Sequence, residues 1–594
     1  MLDLVLGERR RWELPVAAAV VLLATVAFAS QSFFFADDLF FPAWFRENPP
    51  TVEALTRSWF GHLMPAYIAS LIGFLAVFGM SWPAAAVIIG LIHTGAFVAL
   101  VRIVDAVVGT RRMAVLAGVA FALSIGPLAL RLWWAASLNN VFALAVSLAA
   151  LGCLTRFVVH RRWRSLAAGL ALYALALASS EKSLLFSVHI LLWCLLVVWR
   201  GTPLRHRARQ LLRTWPVWVG IFVLSMVDVV AFLTGPYLAE SGESPTLTTT
   251  LEFLANSVFG GLMPSFLGFD LFYASRVPDL LHPAVLLAAA VFAVVVVASV
   301  VLVRSNGGVW LFALAVVLAN NAVLSRRADI IGVGAGRELR YQLENSALVW
   351  MALGVVLFTS LVRLRELGVG RRVELRPQPT LARLAPTVAG IVAAGALVVV
   401  SAMAWSGSLA RTVDKNHGLD ARAWVEAMQG TLPPESTRLV DSPVPSPIAL
   451  GGLWPYNMAS AVIPVFGPQP EFTDVLEDSW VVGDDGTAGP AVLHRRSIVS
   501  TAAQCLEQEV DLAYPSAKAF PGRFLVIEYS NSAAGAVGVF AGGIWTMLDR
   551  PAGSGTLVMH LPFGVEEDEL VVSPDGPPVC IDSVSFADVV PATD

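Results

Sequence analysis

Long apolar runs, broken by short polar or arginine-rich connections, make up the first two thirds of the chain. They fall at about 14–33, 84–104, 113–130, 138–155, 164–179, 183–199, 215–234, 282–303, 308–324, 345–362 and 385–405. A helix of roughly 20 apolar residues crosses a bilayer core of about 30 Å. The pattern therefore predicts a polytopic α-helical membrane protein of about 11 spans. After about residue 406 the pattern changes. GLDARAWVEAMQG (418–430) reads as an amphipathic helix, and RFLVIEYS, GTLVMHLPF, DELVVS and VCIDSVSFADVV read as short strands between Gly, Pro and Asp turns. The expected domains are 1–405, in the membrane, and 406–594, a β-rich domain of jelly-roll or carbohydrate-binding-like form.

Two more apolar stretches, 62–82 and 251–273, are placed along the outer surface by the arginines. With 62–82 on the surface, Arg9–Arg11, Arg111, Arg112, RRWR (161–164), RHRARQLLR (205–213) and the stretch from Arg363 to Arg383 share one side. Lys and Arg then divide into 22 inside and 9 in outer loops. A crossing at 62–82 inverts every later loop and breaks the rule. The N-terminus is thus expected in the cytoplasm and the C-terminal domain outside.

Composition agrees with a membrane protein: 56% hydrophobic residues and 14% charged. A net charge of −4 gives no sign of a nucleic-acid partner. Three lysines against 37 arginines suggest a GC-rich bacterial genome. Cys505 and Cys580 lie in the domain placed outside, where disulfides persist, and no other tail cysteine competes, so a bridge between them is expected.

The candidate chemistry gathers in the outer loops. FFFADDLFFP (33–42) sets Asp37 and Asp38 between aromatic blocks. The same loop carries Arg46, Glu47, Arg57 and His62. RLWWAASLNN supplies Arg131, Trp133, Trp134, Asn139 and Asn140. SSEKS supplies Glu181 and Lys182. Arg276, Arg326 and Arg327 follow, then GRELRY with Arg337, Arg340 and Tyr341. Charges at membrane depth are costly and mark functional sites. Paired acids beside cations suit a general base with an anion-stabilising group. Each also has a plainer reading. The acids can cap a helix, Trp133 and Trp134 can be belt anchors, Lys182 can snorkel, and Arg340 with Tyr341 can anchor a helix end. His93, mid-span, reads as a packing residue. No His/Cys cluster has zinc spacing. GDDGTAG (483–489) has calcium-like composition, but a lone acidic turn is commonly only a turn.

Taken in order, five stretches resemble the C-type (GT-C) glycosyltransferase superfamily over roughly residues 1–405. They are ADD after the first span, GHLMPAYIASLIGFLAVFG with IIGLIHTGAFVALV, RLWWAASLNNVFALAVSLAAL, ALASSEKSLLFSVHILL, and GRELRY. The relatives are protein O-mannosyltransferases, the lipid A aminoarabinose transferase and actinobacterial arabinosyltransferases. Many of them carry Lys-Glu where this chain has Glu181–Lys182. The resemblance implies a polyprenyl-phosphate sugar donor and a glycan, lipid or protein hydroxyl acceptor. It implies inversion at the anomeric carbon on the outer face of a bacterial plasma membrane. It assigns the base to Asp37, with Asp38 orienting it or meeting the acceptor. Lys182, Arg340, Tyr341 and Arg337 are expected around the donor phosphate. His62, Arg131, Trp134, Asn139 and Glu181 are further outer-face candidates. The family does not require a metal throughout, and a divalent ion stays open. Two other classes remain: a transporter or flippase for a lipid-linked intermediate, and a non-catalytic envelope scaffold. A transporter puts charge at mid-span. Here Asp228 is the main such acid.

Overall fold

The computed structural model describes residues 12–592, except 60, 236–244, 273–280, 368–380, 434–436, 450–454, 501–503, 507–509, 514–523, 542–543, 562–568 and 576. Arg9–Arg11 and Arg276 lie outside the described residues. The chain divides into two compact units. The first holds the residues up to Gln31 with Pro50–Asn416; the second holds Ser32–Pro49 with His417–Asp594. The division falls later than 405/406 because one helix, Leu381–Asp414, runs through that point. The segment carrying Asp37 and Asp38 belongs to the second unit.

The first unit is helical. Among the described residues of the chain, eight stretches are long and apolar enough to cross a membrane: Trp82–Val108, Trp134–His160, Glu181–Val198, Trp215–Thr234, Pro283–Leu302, Asn306–Arg327, Leu339–Glu366 and Gly395–Thr431, the last of which continues past Asn416 into the second unit. Glu13–Ala29, Pro65–Phe78 and Trp163–Ser179 are shorter apolar helices. All eleven expected intervals are helical at least in part; 14–33 ends early at Ala29, and 113–130 is cut shorter still. Helix Arg111–Leu123 stops well before 130. Pro127 disfavours helical backbone at the residue before it, and Ser124 is already extended. The surface stretch 62–82 forms Pro65–Phe78, which rises about 21 Å, short of the hydrocarbon core.

Contacts give the helices a common sense. Trp82 Nε1 donates to Ala29 O at 3.0 Å, while Arg112 Nε donates to Glu13 Oε1 at 2.6 Å, so Glu13–Ala29 runs opposite to Trp82–Val108. His93 Nε2 meets Ser137 Oγ at 3.3 Å, and Gly152 lies against Ile103, so Trp134–His160 runs parallel to Trp82–Val108. Small residues let the helices close up. A Cβ on Gly90 would meet Val26 at 2.5 Å, and one on Gly308 would meet Leu196 O at 2.9 Å. Trp193, Tyr173, Phe97 and Phe312 fill the core between them.

Among its described residues the second unit contains helix Asp37–Glu47, helix His417–Thr431 and twelve strands: β1 (Arg438–Val440), β2 (Glu471–Thr473), β3 (Ser479–Val482), β4 (Ala488–Ser500), β5 (Gln504–Leu506), β6 (Val510–Ala513), β7 (Phe524–Asn531), β8 (Gly535–Ala541), β9 (Ile544–Arg550), β10 (Gly553–His560), β11 (Glu569–Asp575) and β12 (Val579–Pro591). One sheet has the order β10-β7-β12-β4-β3-β1-β2, with β5 added on β12; the other is β6-β11-β8-β9. Leu525, Ile527, Val579 and Val584 of the first share a core with Val537, Val539, Leu548 and Val572 of the second, which makes a sandwich. The far edge departs from a pure antiparallel sandwich, because β1 pairs in parallel with both β2 and β3. Cys505 and Cys580 face each other where β5 pairs with β12 and are joined by a disulfide.

Candidate functional site

The aromatic-flanked acids start a helix. Phe34, Phe35, Leu39, Phe41 and Trp44 are buried within the second unit, and Phe40 packs edge-on against Tyr456 at 5.1 Å. Those anchors fix the entry to helix Asp37–Glu47. Asp38 is 2% exposed, and its Oδ2 accepts the Phe35 N–H at 3.2 Å. Asp37 is only half-buried. The two acids therefore differ, as successive helical residues do: Asp38 is buried and Asp37 half-buried. Ala36, just before them, has φ 56° and ψ −124°, and its N–H donates to Ile448 O at 2.6 Å. A non-glycine residue there stores about 1–3 kcal/mol, as occurs at functional sites.

The cations lie in the first unit, at one end of its helices. Three helical stretches begin side by side, at Trp134, Glu181 and Leu339. Arg340 is held by Glu338 (Nε to Oε1, 2.6 Å) and donates to the Tyr341 hydroxyl at 3.1 Å. Its guanidinium stands 4.7 Å from the Tyr341 ring centroid and 5.0 Å from that of Trp133. Lys182 Nζ lies 5.7 Å from the same Tyr341 ring and donates to Asn140 Oδ1 at 3.4 Å. Tyr341 is thus a platform between two cations. Burial pushes the Glu338 carboxyl up, and Arg340 beside it pulls it back.

A second group stands at the same end. Arg327 donates to His62 Nε2 at 2.5 Å. That nitrogen must then hold a lone pair, so Nδ1 carries the proton and donates to Glu181 Oε1, also at 2.5 Å. A tight turn presents the imidazole: Trp59 N donates to His62 O at 3.1 Å, and His62 N donates to Trp59 O at 3.0 Å.

The remaining candidates have other places. Arg337 is buried, with its side chain against Gly260 and its backbone against Gly261. Arg131 is buried and donates to Ala122 O, and burial pulls its guanidinium down to about 10. Trp134 packs on Phe74 at 4.4 Å, leaving Trp133 to face Arg340. Asn139 donates to Met64 Sδ at 3.3 Å, leaving Asn140 to Lys182. Asn140 was among the outer-loop candidates read from sequence, whereas Glu338, inside GRELRY, was not singled out. Below the cations a chain of amides ties the loop to the helices. Gln342 donates to Gly336 O and to Asn321 Oδ1, both at 3.0 Å, and Asn345 donates to Gln342 Oε1 at 2.8 Å. No group of three or more His, Cys, Asp or Glu among the described residues is arranged to hold a metal ion.

No family model matches the chain, and no curated protein does. Among solved structures it is similar to the cryo-EM structure of the arabinosyltransferase EmbB from Mycobacterium smegmatis, at 12% identity and a TM-score of 0.34. The match covers 97% of this chain and 64% of that chain.

Proposed function

We propose that the chain is an inverting membrane glycosyltransferase that moves a sugar from a polyprenyl-phosphate donor to an acceptor hydroxyl on the outer face of a bacterial membrane. The observation that carries this reading is the pairing of Lys182 and Arg340 across one tyrosine ring at the end shared by three long apolar helices. Two cations held by aromatic faces at a membrane boundary suit the phosphate of a lipid whose chain stays in the bilayer. Asp37 is the base in this reading. It is the more exposed acid of the pair, it follows a strained residue, and phenylalanines border it. Partial desolvation makes a carboxylate a stronger base toward a sugar hydroxyl. Lys182 and Arg340 hold the departing phosphate, and Tyr341 fixes their spacing. In this reading the β-rich unit binds the acceptor glycan. Its exposed Trp545, lying over Gly538 on the outer side of the smaller sheet, offers a flat ring to a sugar face.

The test uses the purified chain in proteoliposomes with a panel of radiolabelled polyprenyl-phosphate pentoses and hexoses. Asp37→Asn keeps size and hydrogen bonding, so transfer should fall about 10²–10⁴-fold with insertion unchanged. Near-normal turnover at matched protein amount would remove Asp37 from the role. A loss in Asp38→Asn alone would move it one residue along.

A further inference from the structure

Helix Leu204–Arg213 joins two candidate spans, Glu181–Val198 and Trp215–Thr234, yet buries none of its ten residues. Its sequence, LRHRARQLLR, puts Leu204, Ala208, Leu211 and Leu212 on one side at helical spacing. Leu204 and Leu212 are 78% and 76% exposed, and Trp215 just beyond them is 61% exposed. Arg205, Arg209 and Arg213 fall together on the adjoining side and are exposed. A second connection adds to the same surface. Arg161, at the end of Trp134–His160, donates to Arg213 O at 2.8 Å and to Gln210 Oε1 at 3.2 Å. It brings the exposed Arg162, Trp163 and Arg164 beside the helix. No Asp or Glu occurs from 106 to 180 or from 182 to 227, so neither connection contains a partner for these arginines.

The patch lies at the end of the bundle away from the tyrosine platform. Trp134–His160 begins beside Trp133, which stacks on Arg340, and finishes at Arg161; its 27 residues rise about 40 Å between them. A short helix with an exposed leucine side and flanking arginines, tethered at both ends to spans, has one environment that satisfies both faces. Its leucines enter the acyl boundary and its guanidiniums reach the headgroups.

We propose that Leu204–Arg213, with the neighbouring Arg161–Arg164 connection, is a docking surface for anionic phospholipid headgroups on the side of the membrane opposite the Lys182–Tyr341–Arg340 group. The charge complementarity and the exposed leucines together select a lipid surface: a free anion uses the arginines alone and leaves Leu204 and Leu212 in water. The proposal is independent of the chemistry assigned to the other end.

The full-length protein is reconstituted in nanodiscs of phosphatidylcholine with one fifth phosphatidylglycerol. It is then transferred to detergent, and the retained lipid is counted by native mass spectrometry. Wild type should retain phosphatidylglycerol in preference to phosphatidylcholine, and millimolar inorganic phosphate should not displace it. The variant R205Q/R209Q/R213Q should lose that preference, with affinity about five-fold weaker for each arginine removed. L204S/L212S should weaken retention of both lipids. Because none of these residues is buried, the thermal midpoint in pure phosphatidylcholine should be unchanged, which separates lost binding from lost folding. Equal retention by wild type and the triple arginine variant would overturn the proposal. So would no preference for the anionic lipid in wild type, or displacement by inorganic phosphate.

Discussion

His62 shows how single residues combine here. It is 119 positions from Glu181 and 265 from Arg327, yet one imidazole accepts from the arginine and donates to the carboxylate. A sequence reading finds all three as outer-face charges, because they interrupt apolar runs. It cannot join them, because nothing in their spacing encodes the turn at Trp59 that aims the ring. The same limit applies within dipeptides. Trp133 with Trp134, and Asn139 with Asn140, were legible as pairs, but the local backbone, extended at Trp133 and a wide helical turn over Ser137–Val141, decides which member faces the cations. His62→Ala removes one partner from each of two half-buried charged groups. It should lower stability by on the order of 1–3 kcal/mol. In a cycle with Glu181→Gln, measured by thermal or denaturant unfolding of the purified protein, the coupling should be about 0.5–3 kcal/mol. Strictly additive losses would show that the short contact contributes nothing.

At the scale of elements, the helices were legible and their closest fits were not. Apolar runs of span length leave little choice of structure, since a backbone in lipid must satisfy its own hydrogen bonds. Four strands were legible from alternation: β7, β10, β11 and β12. β4 was missed because VLHRRSIVS interrupts its apolar positions with a charged block, and the hairpin β8–β9 because GAVGVFA is rich in glycine. The fold uses the glycine-rich GVGAGR (332–337) as a packing surface. Helix Leu247–Ala255 and the wider turn Asn256–Leu262 lie against it, backbone to backbone. A Cβ on Gly336 would stand 2.5 Å from Ser257 Oγ and 2.9 Å from Phe253 O. The carbonyl cannot swing aside as a side chain can. Gly336→Ala should therefore destabilise by about 1–3 kcal/mol and displace the Arg337–Tyr341 segment. Gly73→Ala, inside helix Pro65–Phe78 with nothing within 4 Å of the new carbon, should be neutral or stabilising by up to about 1 kcal/mol. Unfolding midpoints of the two variants check the contrast, and equal effects would contradict it.

Across the whole first unit, contacts sort the ionic residues to two ends before any rule about membranes is applied. Arg112 pairs with Glu13, Arg111 with Asp105 at 2.9 Å, and Arg161 with the end of Leu204–Arg213. Those residues sit where Trp82–Val108 and Trp134–His160 finish. His62, Glu181, Lys182, Arg327 and Arg340 cluster where Trp134–His160 and two later stretches begin. The last helix of the unit returns to that second end. Trp405 Nε1 donates to Leu123 O at 2.8 Å, and Asn416 Nδ2 donates to Gln31 O at 3.2 Å, beside the Ala29–Trp82 contact. Geometry puts the two groups at opposite ends; from the excess of arginine we propose that the first end is the cytoplasmic one. A single cysteine placed at Leu212, 76% exposed at the arginine end, should resist a membrane-impermeant maleimide in intact cells and react once the cells are opened. One placed at the exposed Arg57, five residues before His62, should react in intact cells, as should one at the exposed Glu471, which follows the return of the chain at Asn416. Reaction at 212 with protection at 57 would invert the assignment, moving the Lys182–Arg340 group to the cytoplasm, where the proposed outer-face transfer could not occur.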